Sequence, residues 1–246
     1  MPHFNRISAG DTIDLIGPHP YNMHRSNPYP EDHPMVRQLP EFHRFVRDRG
    51  LPWKVWADEV GFSSFRLAAT TPQAIYTPCS ELEQAQLLVR MMVTQLANGV
   101  DKLFWYDFRN DGTDPTWPEH NFGLIRYDNT PKPALVAYAN LIHHLRQARW
   151  LGTYTIGGGG IAYAFADRAG QPKLVAWVRK GSTTEILRVL SDVSALHVRD
   201  IFGSVTTGPV SNHQFALELS ATPVFVEGLT EADLKPFLET RDVHRR

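Results

Sequence analysis

Cysteine is almost absent from this chain: Cys79 is the single one in 246 residues. That excludes an intrachain disulfide and any multi-cysteine metal site, and makes an inert, buried thiol the expectation. An excess of either charge is missing too. Lys and Arg number 25 against 26 Asp and Glu, a formal net charge of -1, so there is no basic footprint for nucleic acid. No apolar run approaches the roughly 20 residues of a membrane span. Met1 to Gly10 lacks the apolar core of a signal peptide. The chain therefore reads as having no membrane partner and as cytoplasmic by default. No residue set calls for a metal or another cofactor.

What the chain does have is apolar substance, 42% hydrophobic and 11% aromatic, enough for one large or two modest domains. Thr12 to Ile16 reads as a short strand ended by Gly17-Pro18, with His19 and Tyr21 sharing one face at its exit. A Pro- and Asn-rich loop from Asn22 to Pro34 leads to a helix over Met35 to Arg49, with Val36, Leu39, Phe42, Phe45 and Val46 at helical spacing. Trp53 to Gly61 is an aromatic and β-branched run ending in carboxylates. Alternation puts Val55, Ala57 and Glu59 on one face and Trp56 and Asp58 on the other. A Glu at the carboxyl end of a parallel barrel strand is where chemistry sits, and a solvated strand-end carboxylate is the alternative.

A loop from Phe62 to Pro78 follows. Ser80 and Glu83 then form a capping box for a helix whose buried face is Leu82, Ala85, Leu88, Val89, Met92, Val93 and Leu96. Lys102 to Phe108 is a third strand. A long polar loop separates it from a helix over Pro133 to Gln147, with Leu135, Ala139, Ile142 and Leu145 on its face. Strands alternating with such helices predict a parallel sheet covered by helices. After Trp150 the pattern changes to strands alone: Ile161 to Ala166, Lys173 to Val178, Glu185 to Leu190, His197 to Asp200, Gln214 to Leu219 and Val224 to Val226. This predicts an antiparallel β-sandwich of roughly 80 residues. Gly157 to Gly160 opens no helix and is no phosphate loop. Thr230 to Leu238 reads as a short helix and Arg241 to Arg246 as a frayed tail.

Pro18-His19-Pro20-Tyr21, Trp56-Ala57-Asp58-Glu59-Val60-Gly61 and Phe104-Trp105-Tyr106-Asp107 occur in that order. Glu119-His120-Asn121-Phe122-Gly123-Leu124 and Thr130-Pro131-Lys132-Pro133-Ala134 follow. Together they resemble strands six, seven and eight of clan A glycoside hydrolases, the (β/α)8 barrels of the cellulase and family 39 xylosidase or iduronidase kind. Arg199 to Gly203 and Leu219 to Val224 resemble the β-sandwich that often follows such barrels. The resemblance implies a fold of α/β plus all-β class: a partial (β/α)8 (TIM) barrel over residues 1–149, a β-sandwich over 150–229, and a short helix with a polar tail over 230–246.

It also implies roles. Glu59 matches the nucleophile of a retaining mechanism. His19 or Tyr21 matches the pair that hydrogen-bonds the nucleophile or the sugar, and Trp105 matches the aromatic platform beneath it. Asp107, with Asp111 and Asp114, would contact hydroxyl groups of a carbohydrate substrate. The family's proton donor is a Glu after Asn on strand four, and no Asn-Glu pair occurs here. Three readings follow. The chain is the carboxyl-terminal part of a glycosidase whose amino-terminal barrel half lies elsewhere. Alternatively it is a non-catalytic carbohydrate-binding remnant, or a module that pairs with another copy of itself to form a homo-oligomer.

Overall fold

Three strand-helix units build the first half of the chain in a computed structural model, which describes residues 13–21, 29–68, 76–156 and 159–234. Residues 1–12, with the start of the expected first strand, 22–28, 69–75, 157–158 and 235–246, where the rest of a short helix and a tail were expected, lie outside those residues. The elements are β1 (Leu15–Ile16), α1 (Pro34–Asp48), β2 (Lys54–Val60), α2 (Glu81–Ala97), β3 (Lys102–Trp105) and α3 (Pro133–Leu145). The strands form a parallel sheet in the order β1-β2-β3. Gly17-Pro18 cuts β1 to two residues, because proline has no N–H for a ladder. Among the described residues no strand pairs with the outer edge of β1 or β3.

Helix α2 begins where the capping box predicts: Ser80 accepts from Glu83 N–H at 3.1 Å and Glu83 accepts from Ser80 N–H at 2.7 Å. Ala85, Leu88, Val89, Met92 and Val93 are buried, and each large side chain among them contributes about 1.5–3 kcal/mol. Leu82, expected on that face, is exposed at 48% because the first turn overshoots the packing. The face of α3 also differs from the expectation. Ala134, Ala137, Leu141 and Leu145 are buried, whereas Ile142 is exposed. Both stripes have helical spacing, and the alanine stripe is the one that lets α2 and α3 approach closely.

Eight strands follow: β4 (Arg149–Ile156), β5 (Gly160–Ala166), β6 (Pro172–Val178), β7 (Ser182–Arg188), β8 (Ala195–Asp200), β9 (Val205–Pro209), β10 (Gln214–Ser220) and β11 (Val224–Glu227). Six make an antiparallel sheet in the order β4-β5-β6-β11-β8-β9, and β7 pairs with β10. Strands β4 and β9 were not expected. The latter contains Gly208 and Pro209 and is an edge strand, where a missing donor costs no ladder bond.

Alternation sends the two faces of the large sheet to different cores. Tyr163, Phe165, Val175, Trp177 and Phe225 pack with α2 and α3, and Ala162, Ala164, Leu174, Ala176 and Val226 pack with Phe215, Leu217 and Leu219 of β10. One apolar core thus spans both halves of the chain. A polar joint reinforces it. A 3-10 turn at Pro30–Asp32, in the loop after β1, buries Glu31 against Arg90 of α2, with Trp177 Nε1 donating to it at 3.2 Å. Arg179 pairs with the adjoining Asp32.

Candidate active site

The site begins with an irregularity in β2. Cα partners run Trp56 to Lys102, Ala57 to Leu103, then Val60 to Trp105, so three steps on β2 oppose two on β3. This is a β-bulge, and it breaks strict alternation. Val55, Ala57 and Val60 are all buried on the helix side, and both Asp58 and Glu59 are left to the open face. The expected separation of Asp58 from Glu59 is therefore corrected: the extra residue brings the two carboxylates to the same side.

The chain leaving β1 meets them there. Tyr21 Oη donates to Glu59 Oε1 at 2.9 Å. His19 lies between the carboxylates, with Nε2 3.3 Å from Asp58 Oδ1 and Nδ1 3.8 Å from Glu59 Oε1. Both expected partners thus reach Glu59. Gly17 makes room for the arrangement, since a Cβ there would lie 2.6 Å from Asp58 Oδ2. Burial, and then the bond to Glu59, hold the Tyr21 phenol well above its ordinary range, so it stays a donor at neutral pH.

Phe122 organises the next layer. Tyr76, Tyr106 and Tyr21 stand edge-on to its ring at 5.0, 5.3 and 6.1 Å, a geometry aromatic pairs favour. Tyr106 Oη donates to Asp111 Oδ2 at 3.2 Å, and Tyr76 hydrogen-bonds Glu119. Burial first, then these carboxylates, push both phenols up to about 12. Three phenols, each hydrogen-bonded to its own carboxylate, therefore gather on one phenylalanine. The Glu119 to Leu124 motif carried Glu119 and Phe122 without a role, and Tyr76 had no signal in the sequence beyond its being aromatic.

Other expected residues fall differently. Trp105 is on the helix side of β3, packed near Phe62 at 6.3 Å, and its Nε1 donates to the Phe122 carbonyl at 3.3 Å. The neighbouring Tyr106 is the β3 exit residue that joins the rings around Phe122. Asp107 is half-buried, and burial pushes its carboxyl up, opposed by the Arg109 N–H. Asp114 is exposed and caps its own turn, accepting from Thr116 N–H and Oγ at 2.8 Å. Cys79 donates to the Ser63 carbonyl at 3.3 Å, and burial pushes its thiol up to about 12.

The long loop after β3 is pinned in place. Gln84 Nε2 donates to the carbonyls of Phe62 and Phe122 at 2.7 and 3.1 Å. The fully buried Lys132 Nζ donates to Ser64 Oγ at 3.0 Å and to the Asn121 carbonyl at 2.9 Å, and burial pulls it down to about 8. At Gly61 the backbones touch: a Cβ would lie 2.0 Å from the Tyr106 carbonyl oxygen.

Chemically the arrangement offers an oriented carboxylate with one oxygen held by a phenol and the other without a hydrogen-bond partner among the described residues. Glu59 is 40% exposed on an open face rather than enclosed. A cavity of about 770 Å3 lies between residues 64–67, 78–83 and 110–128, and Glu59, Tyr21 and His19 do not line it. Among the described residues no group of three or more His, Cys, Asp or Glu is arranged to hold a metal ion.

No protein-family model and no curated protein matches the chain. Solved structures do. The chain is similar to a family 39 glycoside hydrolase from the gut symbiont Bacteroides cellulosilyticus WH2, with 26% identity and a TM-score of 0.67 over 88% of this chain and 44% of that one. It is similar to the GH51 arabinofuranosidase from Xanthomonas axonopodis pv. citri, with 13% identity and a TM-score of 0.54 over 80% and 45%. A glucosidase from Croceicoccus marinus gives 12% and 0.50 over 87% and 52%. The chain spans about half the length of these structures. At a coarse level, then, the fold is glycosidase-like, with helices and both parallel and antiparallel sheets.

Proposed function

We propose that this chain carries the nucleophile half of a retaining glycoside hydrolase site, with Glu59 as nucleophile. In this reading residues 1–149 are strands six to eight of a (β/α)8 barrel, and residues 150–229 are the β-sandwich that follows it. The observation that carries the proposal is the Tyr21-to-Glu59 hydrogen bond on a bulged strand end, with His19 beside it. The likeness to a family 39 glycoside hydrolase supports it.

Tyr21 holds Glu59 Oε1, and Oε2 attacks the anomeric carbon as the bond to the leaving oxygen breaks. Tyr106 and the carboxylates of Asp107 and Asp111 face the sugar hydroxyl groups. The leaving oxygen must gain a proton, and a retaining pair stands about 5–5.5 Å apart. We assign that donor to a polypeptide segment outside these 246 residues, which also covers the free edges of β1 and β3.

An activated substrate tests the nucleophile without the donor, because a dinitrophenolate leaves unprotonated. The chain is incubated with 2,4-dinitrophenyl 2-deoxy-2-fluoro glycosides of xylose, arabinose and glucose and digested for mass spectrometry. The expected result is a stoichiometric dinitrophenolate burst and a glycosyl adduct on the Glu59 peptide, absent in Glu59→Gln. No adduct with any sugar, or one that persists in Glu59→Gln, sinks the assignment.

One observation favours a second reading, a non-catalytic or self-associating remnant: the open face presents Phe104, 45% exposed, against Trp56 at 5.9 Å. In that case the chain elutes as an oligomer and acquires no label.

A further inference from the structure

A second concave site shares no residue with the Glu59 cluster. Between the last turn of α3 and strands β6, β8 and β11 lies a cleft of about 410 Å3, a volume in the range of small-ligand sites. Its charge is unbalanced. Arg146, Arg168, Lys173 and Arg199 line it against Asp167 and Glu227, in a chain whose net charge is -1.

Both carboxylates are already engaged. Glu227 accepts from Lys173 Nζ at 3.2 Å and Arg199 Nη2 at 3.3 Å, and lies 3.0 Å from His144 Nδ1. Asp167 Oδ1 closes the β5-to-β6 turn, accepting from the N–H groups of Ala169 and Gln171 at 2.9 Å. Burial pulls His144 down to about 4 despite the attraction of Glu227, so at neutral pH its ring adds no cation and no demand for an anion.

Two of the four cations lack such a partner. Arg146 and Arg168 are exposed and have no carboxylate partner among the described residues. Arg199 is held in place: Nη1 donates to the Gly203 carbonyl at 2.9 Å, Nη2 to Glu227, and Nε is buried, so it contributes charge to the cleft rather than a free donor. Guanidinium groups gathered at one concavity repel each other, and their planar forks match the oxygens of carboxylate, sulfate or phosphate.

We propose that this cleft is an oxyanion-binding site in which Arg146 and Arg168 receive the anionic group of a sugar-sized ligand such as a uronate, with Arg199 and Lys173 adding positive charge behind them. The cleft is larger than a bare inorganic anion needs, which favours an acidic sugar over a free ion. The site stands independently of Glu59, so its fate says nothing about the nucleophile.

The test titrates the full chain by NMR and calorimetry with glucuronate, sodium sulfate and glucose. Glucuronate and sulfate should bind saturably and compete, with shifts centred on residues around Arg168 and Glu227, and glucose should not bind. Glucuronate binding more tightly than sulfate assigns the site to an acidic sugar, and sulfate binding alone assigns it to a free anion. Arg146→Gln with Arg168→Gln, at two exposed positions that leave the Glu227 pairs intact, should weaken either ligand about tenfold or more, the loss of one charge-assisted contact. Saturation by neither anion, equal binding of glucose, or undiminished binding in the double variant overturns the proposal.

Discussion

Lys132 sits where an ammonium group is costly. It is 1% exposed, and burial pulls its pKa from 10.5 down to about 8, only partly opposed by Glu81 and Cys79. Below about pH 8 the group is charged folded and unfolded, and its burial counts against folding. Between about 8 and 10.5 it is neutral when folded and charged when unfolded, so the unfolded state binds more protons and stability rises with pH. The full gain is about 3 kcal/mol at 1.36 kcal/mol per pH unit, with about 2 kcal/mol of it reached by about pH 9.5. Cys79 and the phenols pull the other way above about pH 9, because their folded-state values are raised. A difference measurement removes them.

Lys132→Met keeps the volume and loses the titration. The Asn121 carbonyl still accepts from Ser64 N–H at 3.1 Å and Gln84 Nε2 at 3.3 Å. Urea unfolding of both proteins between about pH 7.5 and pH 9.5 should show the wild type gaining about 2 kcal/mol relative to the variant. A difference that stays flat within about 0.5 kcal/mol would falsify the claim that the buried ammonium titrates in this window.

Two further substitutions probe geometry and capping. Gly61→Ala drives a methyl group to 2.0 Å from the Tyr106 carbonyl oxygen; a loss of about 1–3 kcal/mol in urea is expected, together with failure of the Glu59 label, and a neutral result would show that the loop after β3 is free to shift. Asp233 is buried and accepts from the N–H groups of Leu190, Ser191 and Thr230 and from the Ser191 and Thr230 hydroxyls. Burial opposes its charge, yet these donors outweigh it and hold the carboxyl at about 2 rather than 3.8. Its stabilisation is therefore present above about pH 4 and lost as pH falls toward 2. Asp233→Asn should cost about 2 kcal/mol near neutrality, and its stability deficit should shrink in acid; a deficit independent of pH would contradict the charge assignment.

Much of this architecture was legible because the signals are local. The Ser80 and Glu83 cap, the period of α2 and the run of β-branched strands after residue 150 each act within a few residues. What escaped was decided by distant partners. The bulge between Ala57 and Val60 exists only in the register against β3, so alternation along β2 misplaced Glu59, grouping it with the buried Val55 and Ala57. Leu135 and Ala137 belong to two equally periodic stripes of α3, and only the approach of α2 selects one. Glu119 and Tyr76 lie 43 positions apart in the chain, and their pairing is set by the loops that Phe122 gathers. The resemblance named Trp105, whose ring packs near Phe62, while the neighbouring Tyr106 stands against Phe122.

The buried Glu31 has a consequence for anyone who would recombine this protein. The segment that delivers His19 and Tyr21 is anchored ten residues later by Glu31 to Arg90 of α2 and to Trp177 of β6. Cutting the chain near residue 150 would strip that anchor of its indole donor and expose the shared core, leaving a buried carboxylate and guanidinium to find water. A chimera that grafts the strand-helix half onto another carboxyl-terminal sheet must bring its own counterpart of Trp177 and Arg179. Without one, the histidine and tyrosine beside Glu59 would lose their footing even though every residue of the cluster itself was kept.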